Sequence, residues 1–338
     1  MIYCTKVNFY MRKIFINLVL FFSSIAVVVI IINILLLIYS DYFLKQKFIS
    51  QKYIRLFPVQ SAFLYHDTYK SLENYNLIIG DSHSFGNGDS YLNLDYNYSI
   101  GHYLHNLSEK KNNFINIGIP GAGSELAYLY AEKFILKVKD YPKSIQFIFY
   151  EGNDLTDNIR YKKLKNDKKQ KIAIFIGNYF PIYHFSKNYY FFLLADKKKI
   201  KKIKKIQAPP MELTNEDLEL SIEIFFDTIL KLKKFSENIS IVYIPSPATV
   251  VSNHPIQITS YLNNMTLTFS RSEIEKRSIL IRNIIEKFAI ENNFLFLDTT
   301  KKLKKISVEK NIYGPKDILH PNKIGYEVIS KLIFFNLN

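Results

Sequence analysis

The sequence predicts an α/β domain built on a parallel sheet and carried behind one apolar N-terminal helix. Three observations carry that prediction. The chain opens with 26 consecutive uncharged residues, Ile14 to Tyr39. Beyond residue 70, short apolar runs alternate with segments of helical periodicity, as in a βαβ succession. Several of these runs are apolar almost throughout, which suits strands covered on both faces rather than one.

The opening segment, IFINLVLFFSSIAVVVIIINILLLIY, exceeds the roughly 20 residues needed to span a bilayer. It is too long for an ordinary signal-peptide core, and no small-residue cleavage motif follows it. It reads as an uncleaved single-pass anchor, with 1–13 as a short N-terminal tail and 40–71 as a juxtamembrane linker. Lys6, Arg12 and Lys13 precede the span, and Lys45, Lys47, Lys52 and Arg55 follow it, so flanking charge is nearly balanced. The short N-terminus and long trailing chain favour a signal-anchor that places the domain on the extracytoplasmic side.

The predicted strands are Leu77–Ile79, Phe114–Ile117, Ile145–Tyr150, Ile239–Ile244 and Phe294–Leu297. Between them, Glu125–Val138 carries Leu126, Leu129, Tyr130 and Phe134 at helical spacing. Thr214-x-x-Asp217 resembles a capping box ahead of a helix running towards Phe235, with Leu218, Ile222, Phe225, Phe226 and Ile229 inward. Ser272-x-x-Glu275 is read as the start of the next, bearing Ile279, Ile281, Ile284, Ile285 and Phe288. A last helix follows Pro321, placed at its first turn, with Ile324, Val328, Ile329 and Leu332 inward.

Residues 155–211 interrupt the alternation. They hold an aromatic stretch at 172–195, broken by Gly177, Pro181, His184 and Lys187, and then a Lys run at 197–205. Two readings stand: an insertion packed on the core, or a lid or membrane-facing flap beside the site.

The net charge of +15 is concentrated in Lys clusters at 162–171, 197–205 and 301–305. No nucleic-acid module accompanies it, so nucleic acid is not an expected partner. Anionic lipid or glycan contact is the second reading beside a simple solvated run. Cys4 is the single cysteine, and the seven His residues show no metal-ligand spacing, so neither a disulfide framework nor a metal or other cofactor is expected.

Four stretches carry chemistry. NLIIGDSHSFGNG (76–88) runs a strand into Gly-Asp-Ser, placing Ser82 at a strand's carboxyl end, where open α/β sheets bind ligands. FINIGIPGAGSEL (114–126) ends a strand in a glycine-rich turn whose amides approach a reacting oxygen closely. FIFYEGNDLTDN (147–158) puts Gly-Asn-Asp after the third strand, with the Asn153 amide as a donor. DILHPNKIGY (317–326) sets Asp317 three residues before His320, so that a carboxylate orients an imidazole. Each alone reads equally as a turn; their order and placement make the set specific.

Together the four stretches resemble the blocks of the SGNH (GDSL-like) hydrolases, named for their Ser, Gly, Asn and His. The resemblance covers roughly residues 72–335, with the insertion at about 155–211. It implies a three-layer αβα sandwich with a five-stranded parallel sheet in flavodoxin-like order. It also implies Ser82 as nucleophile, Asp317 and His320 as its partners, and an oxyanion hole from Ser82, Gly121 (Gly118 in a second register) and Asn153. Two departures stand out. His83 replaces the Leu of other GDSL lipases, a GDSH form familiar in SGNH domains linked to surface-glycan acylation. The span from Asn153 to Asp317 is also longer than in minimal esterases.

The implied activity is a serine esterase acting on O-acyl esters, acetyl among them, of cell-envelope glycans or lipid-linked sugars. The alternatives are an O-acyltransferase on the same substrates and a non-catalytic glycan-binding protein. The expected partners are the membrane and an acylated carbohydrate or lipid-linked substrate.

Overall fold

The structure is a computed structural model that describes residues 2–39, 42, 73–89, 99–109, 111–166, 182, 206–251, 256–259, 266–314 and 317–337. The N-terminal helix α1 runs Ile2–Ile38, so the residues read as a tail continue the helix. Its portion Arg12–Ile38 is long and apolar enough to cross a membrane. The Ser23 and Ser24 hydroxyls bond back to the Leu20 carbonyl, which satisfies them without water. Asn33, further along α1, accepts from the Ile182 N–H at 3.3 Å. The linker beyond Tyr42 lies outside the described residues.

The domain follows with β1 (Asn76–Gly80), α2 (Ser82–Phe85), α3 (Ile100–Leu107), β2 (Phe114–Gly118), α4 (Ser124–Val138), β3 (Ser144–Tyr150) and α5 (Asp154–Asn166). Then come α6 (Asn215–Leu232), β4 (Ile239–Ile244), α7 (Pro247–Val251), β5 (Ile256–Thr259), β6 (Thr266–Phe269), α8 (Arg271–Glu291), β7 (Leu295–Asp298), α9 (Thr300–Glu309) and α10 (Lys323–Leu337). Five strands form one parallel sheet in the order β2-β1-β3-β4-β7, the flavodoxin-like order.

Alternation along the strands divides the core in two. Leu77, Ile79, Ile115, Ile117, Phe147, Phe149, Ile241 and Tyr243 meet α4, α5, α6 and α8 on one face. Ile78, Ile148, Tyr150, Val242 and Ile244 meet α3, α9 and α10 on the other. The result is the three-layer αβα sandwich. At its centre Phe225 of α6, fully buried, sits 5.4 Å from the Phe147 ring and 5.0 Å from Phe149.

Several local expectations are corrected. The helix expected to open at Ser272 is capped two residues earlier: Ser270 accepts from Glu273 N–H, and the Glu273 carboxylate returns to the Ser270 N–H. Ile324, expected inward, is exposed, as are Leu129 and Ile279 of the apolar spacing. Their helices turn Ala127, Ala131, Ser278, Gly325 and Tyr326 to the core instead, small or polar residues that an apolar count passes over. Pro321 precedes α10 and pairs with Tyr313; the Asn322 side chain accepts from the Ile324 and Gly325 N–H groups and starts the helix. The interruption begins later than 155, because Leu155 and Ile159 of α5 belong to the core. The Lys run and, apart from Ile182, the aromatic stretch lie outside the described residues.

Replacing Phe225 by Ala removes the ring on which two core rings pack. Urea denaturation of the detergent-solubilised chain is expected to show a loss of about 3–5 kcal/mol.

Candidate active site

Three neighbouring strands, β2, β1 and β3, deliver the first three blocks to one edge of the sheet. β1 ends at Gly80, and Asp81 turns the chain into the single helical turn α2 that Ser82 begins. The Asp81 carboxylate caps this turn through the His83 N–H at 2.8 Å. Asn116 of β2 grips it from the side: its amide donates to the Ser84 carbonyl at 2.6 Å and its oxygen accepts from the Ser84 hydroxyl at 3.0 Å. Gly118 makes the close approach possible, since a Cβ there would collide with the Phe85 backbone. Ser82 is therefore held rigidly, with 7% of its surface exposed.

The fourth block reaches Ser82 from 238 residues away. One Asp317 carboxylate oxygen accepts from the Leu319 and His320 N–H groups at 2.9 and 3.2 Å, folding the loop around the side chain. The other lies 2.7 Å from His320 Nδ1, and His320 Nε2 lies 2.9 Å from Ser82 Oγ. Because an ionised carboxylate only accepts, Nδ1 carries the proton and Nε2 offers a lone pair to the serine hydroxyl. Burial alone would raise the Asp317 pKa. The His320 ring and the two backbone donors outweigh it and hold the carboxyl below its usual value.

Two contacts lock the loop to the Ser82 turn. The Tyr326 hydroxyl of α10 donates to the Asn87 carbonyl at 2.6 Å, and the Asp317 N–H donates to the Asp89 carboxylate.

The remaining expected residues stand on the flanking strands. Gly121 lies in the exposed turn after β2 with φ +68°, a left-handed conformation that glycine adopts without strain. Asn153 follows β3, half-buried, and its amide donates to the Asp157 carboxylate at 2.6 Å. Asn158, from the same block, accepts from the Ser124 N–H and hydroxyl and donates to the Ser221 carbonyl, joining α4, α5 and α6.

Other side chains at the site carry no motif. The His83 ring stacks on Tyr150 at 3.4 Å and lies 4.7 Å from the His320 ring. Tyr150 donates to Gln207 at 2.9 Å. Position 83 differs from the GDSL pattern, and that departure was the available signal; nothing in the sequence marked Tyr150 or Gln207. Asp154 is fully buried, and one of its carboxyl oxygens lacks a hydrogen-bond partner among the described residues. Burial first, then repulsion from Asp81, push its pKa well above the usual carboxylate value. Among the described residues no cluster of three His, Cys, Asp or Glu side chains is placed to hold a metal ion.

A serine hydroxyl, an imidazole and an orienting carboxylate in this sequence of contacts are the parts of an acyl-transfer site. The family model for GDSL-like lipases and acylhydrolases matches residues 77–333, which includes every one of them. The chain belongs to the GDSL-like lipase/acylhydrolase family. This acylhydrolase is accordingly an enzyme that acts on ester bonds. A search of curated proteins found no match.

Solved structures similar to it include a catalytic mutant of an acetylxylan esterase from Geobacillus stearothermophilus. That structure is 12% identical, covers 79% of this chain and 94% of its own, and has a TM-score of 0.41. A G-D-S-L family protein from Desulfitobacterium hafniense is 14% identical over 78% of this chain and 99% of its own, with a TM-score of 0.42. The acetyl xylan esterase AlAXEase is 17% identical over 78% and 100%, with a TM-score of 0.41.

Asp154 generates a pH prediction. Its raised folded pKa means that folding binds a proton, so its contribution to stability falls as pH rises above the model-compound value of 3.8. Asp154→Asn removes that cost. The melting temperature of the acylhydrolase is expected to rise at pH 7, with the gain shrinking towards pH 4.

Proposed function

We propose that this acylhydrolase is a membrane-anchored serine esterase that removes small O-acyl groups, acetyl among them, from cell-envelope glycans or lipid-linked sugars. The observation that carries the chemistry is the Ser82 hydroxyl 2.9 Å from an imidazole whose far nitrogen lies 2.7 Å from a carboxylate. In this reading His320 Nε2 takes the Ser82 proton as Oγ bonds to the ester carbonyl carbon, and the carbonyl π pair moves to oxygen. The oxyanion is met by the Ser82 and Gly121 N–H groups and the Asn153 amide, whose hold on Asp157 fixes its orientation. As the carbonyl re-forms, the C–O bond to the sugar breaks and His320 returns the proton to the leaving hydroxyl. Water then repeats the sequence on the acyl-enzyme and frees Ser82.

Three features support the substrate class. Ser82 is nearly buried beside the stacked His83 and Tyr150 rings, which suits a small acyl group. The GDSH form resembles that of domains linked to surface-glycan acylation. The apolar helix α1, read as an uncleaved anchor with an exported domain, would keep the site beside envelope substrates.

The full-length protein in detergent is expected to hydrolyse p-nitrophenyl acetate. Ser82→Ala should lower kcat by at least about 10³-fold without moving the melting temperature, and His320→Ala should lower kcat by at least as much. Undiminished turnover in Ser82→Ala would remove the assignment. An added acceptor oligosaccharide should leave p-nitrophenol release unchanged and gain no acyl group, whereas acylated oligosaccharide would mark a transferase. For topology, a reporter fused after Asn338 should be active on the extracytoplasmic side; cytoplasmic activity would reverse the orientation.

A further inference from the structure

The Ser82 hydroxyl has one proton and two acceptors within reach. His320 Nε2 lies at 2.9 Å, and one carboxylate oxygen of Asp81 at 3.1 Å. Donation to His320 is the reactive arrangement; donation to Asp81 leaves the imidazole lone pair idle and the nucleophile unactivated. An ionised carboxylate is the stronger acceptor of the two. Distance alone does not decide the matter, so what else loads that oxygen does.

His83 Nδ1 lies 3.3 Å from the same Asp81 oxygen. Because the carboxylate only accepts, Nδ1 carries the proton and donates. The ring cannot swing away from this contact. It is 1% exposed, stacks on Tyr150, and has the His320 ring 4.7 Å away. Tyr150 in turn is held by Gln207. The ionisable groups that face His83 are Asp81 from its own turn, Tyr150 from β3, and Asp317 and His320 from the last loop. Burial, the largest influence on its pKa, outweighs Asp81 and lowers it, which favours the neutral ring.

We propose that His83 is a positioning residue: its ring N–H occupies the Asp81 carboxylate and so turns the Ser82 hydroxyl towards His320. This rests on the reading of Ser82 as nucleophile and adds to it a device that sets how much of the serine is in the reactive arrangement.

Labelling of the full-length protein in detergent by a small fluorophosphonate measures nucleophile activation apart from substrate recognition. His83→Asn keeps an N–H donor near the place of Nδ1 and should label within about twofold of the wild-type rate. His83→Phe keeps a flat ring against Tyr150 and His320 but cannot donate. It should label about fivefold more slowly, the size expected for one hydrogen bond, and lose the same factor in kcat with KM unchanged. In an Asp81→Asn background the competing carboxylate is gone, and His83→Phe should have no further effect.

The reverse order, with His83→Phe at the wild-type rate and His83→Asn slow, would show that only ring packing matters and would overturn the proposal. So would a His83→Phe effect that persists undiminished in the Asp81→Asn background. Wild-type protein that does not label at Ser82 would instead overturn the serine-esterase reading, and this inference with it.

Discussion

The site depends on the two ends of the domain closing on each other. Ser82 and His320 are 238 residues apart, and joining ends over such a length costs on the order of 5 kcal/mol in chain entropy. The Tyr326–Asn87 hydrogen bond returns only about 0.5–1.5 kcal/mol. The apolar face of α10 makes up the difference: Tyr326, Ile329 and Ile333 are fully buried against the sheet, each contributing ~1.5–3 kcal/mol. Hydrophobic burial therefore supplies the energy of closure. The hydrogen bonds at Asn87 and Asp89 contribute direction, fixing which atoms of the two turns meet.

A second constraint is the number of polar groups buried where the strands end. Glu151, fully buried beside Gly152 and Asn153, accepts from the Tyr243 hydroxyl at 2.6 Å, the Ser246 N–H at 2.7 Å and the Thr249 hydroxyl at 2.6 Å. A carboxylate in that position without donors would be expensive; with three, it ties the end of β3 to β4 and the turn into α7. Burial and then Glu151 push the Tyr243 pKa well up, so the phenol keeps its proton and remains a donor. The rigidity of the loop that carries Asn153 thus has its origin in a residue that forms no part of the reacting group.

The five strands were legible because near-continuous apolar runs such as ISIVYI have one comfortable place, between two layers of helices. The meeting of Ser82, Asp317 and His320 was legible because each sits in a short motif at a strand or helix end. What stayed hidden had no such signal. The inward face of α10 includes Gly325 and Ser330 beside Tyr326, Ile329 and Ile333, so counting large apolar residues alone put Ile324 inward where it is exposed. Helices α3 and α9 were passed over although Ser99 caps the first and Leu104 follows Ile100 at helical spacing. The stack of His83, Tyr150 and Gln207 joins three distant stretches, and no local pattern announces a contact of that kind.

The carboxylates around the serine also explain why so acidic a site remains stable. Asp81 and Asp317 each face an imidazole and backbone donors, and both are held below their usual pKa despite burial. Asp154 faces Asp81 with only the Tyr150 N–H to offset burial, and it moves the other way. Like charges in one low-dielectric space cannot all ionise, so the group with the fewest donors keeps its proton. That division leaves Asp81 and Asp317 ionised, each with a ring N–H against it: His83 on Asp81 and His320 on Asp317. In the proposed mechanism this is how the Ser82 turn holds an aspartate next to a serine while the hydroxyl proton is directed to His320.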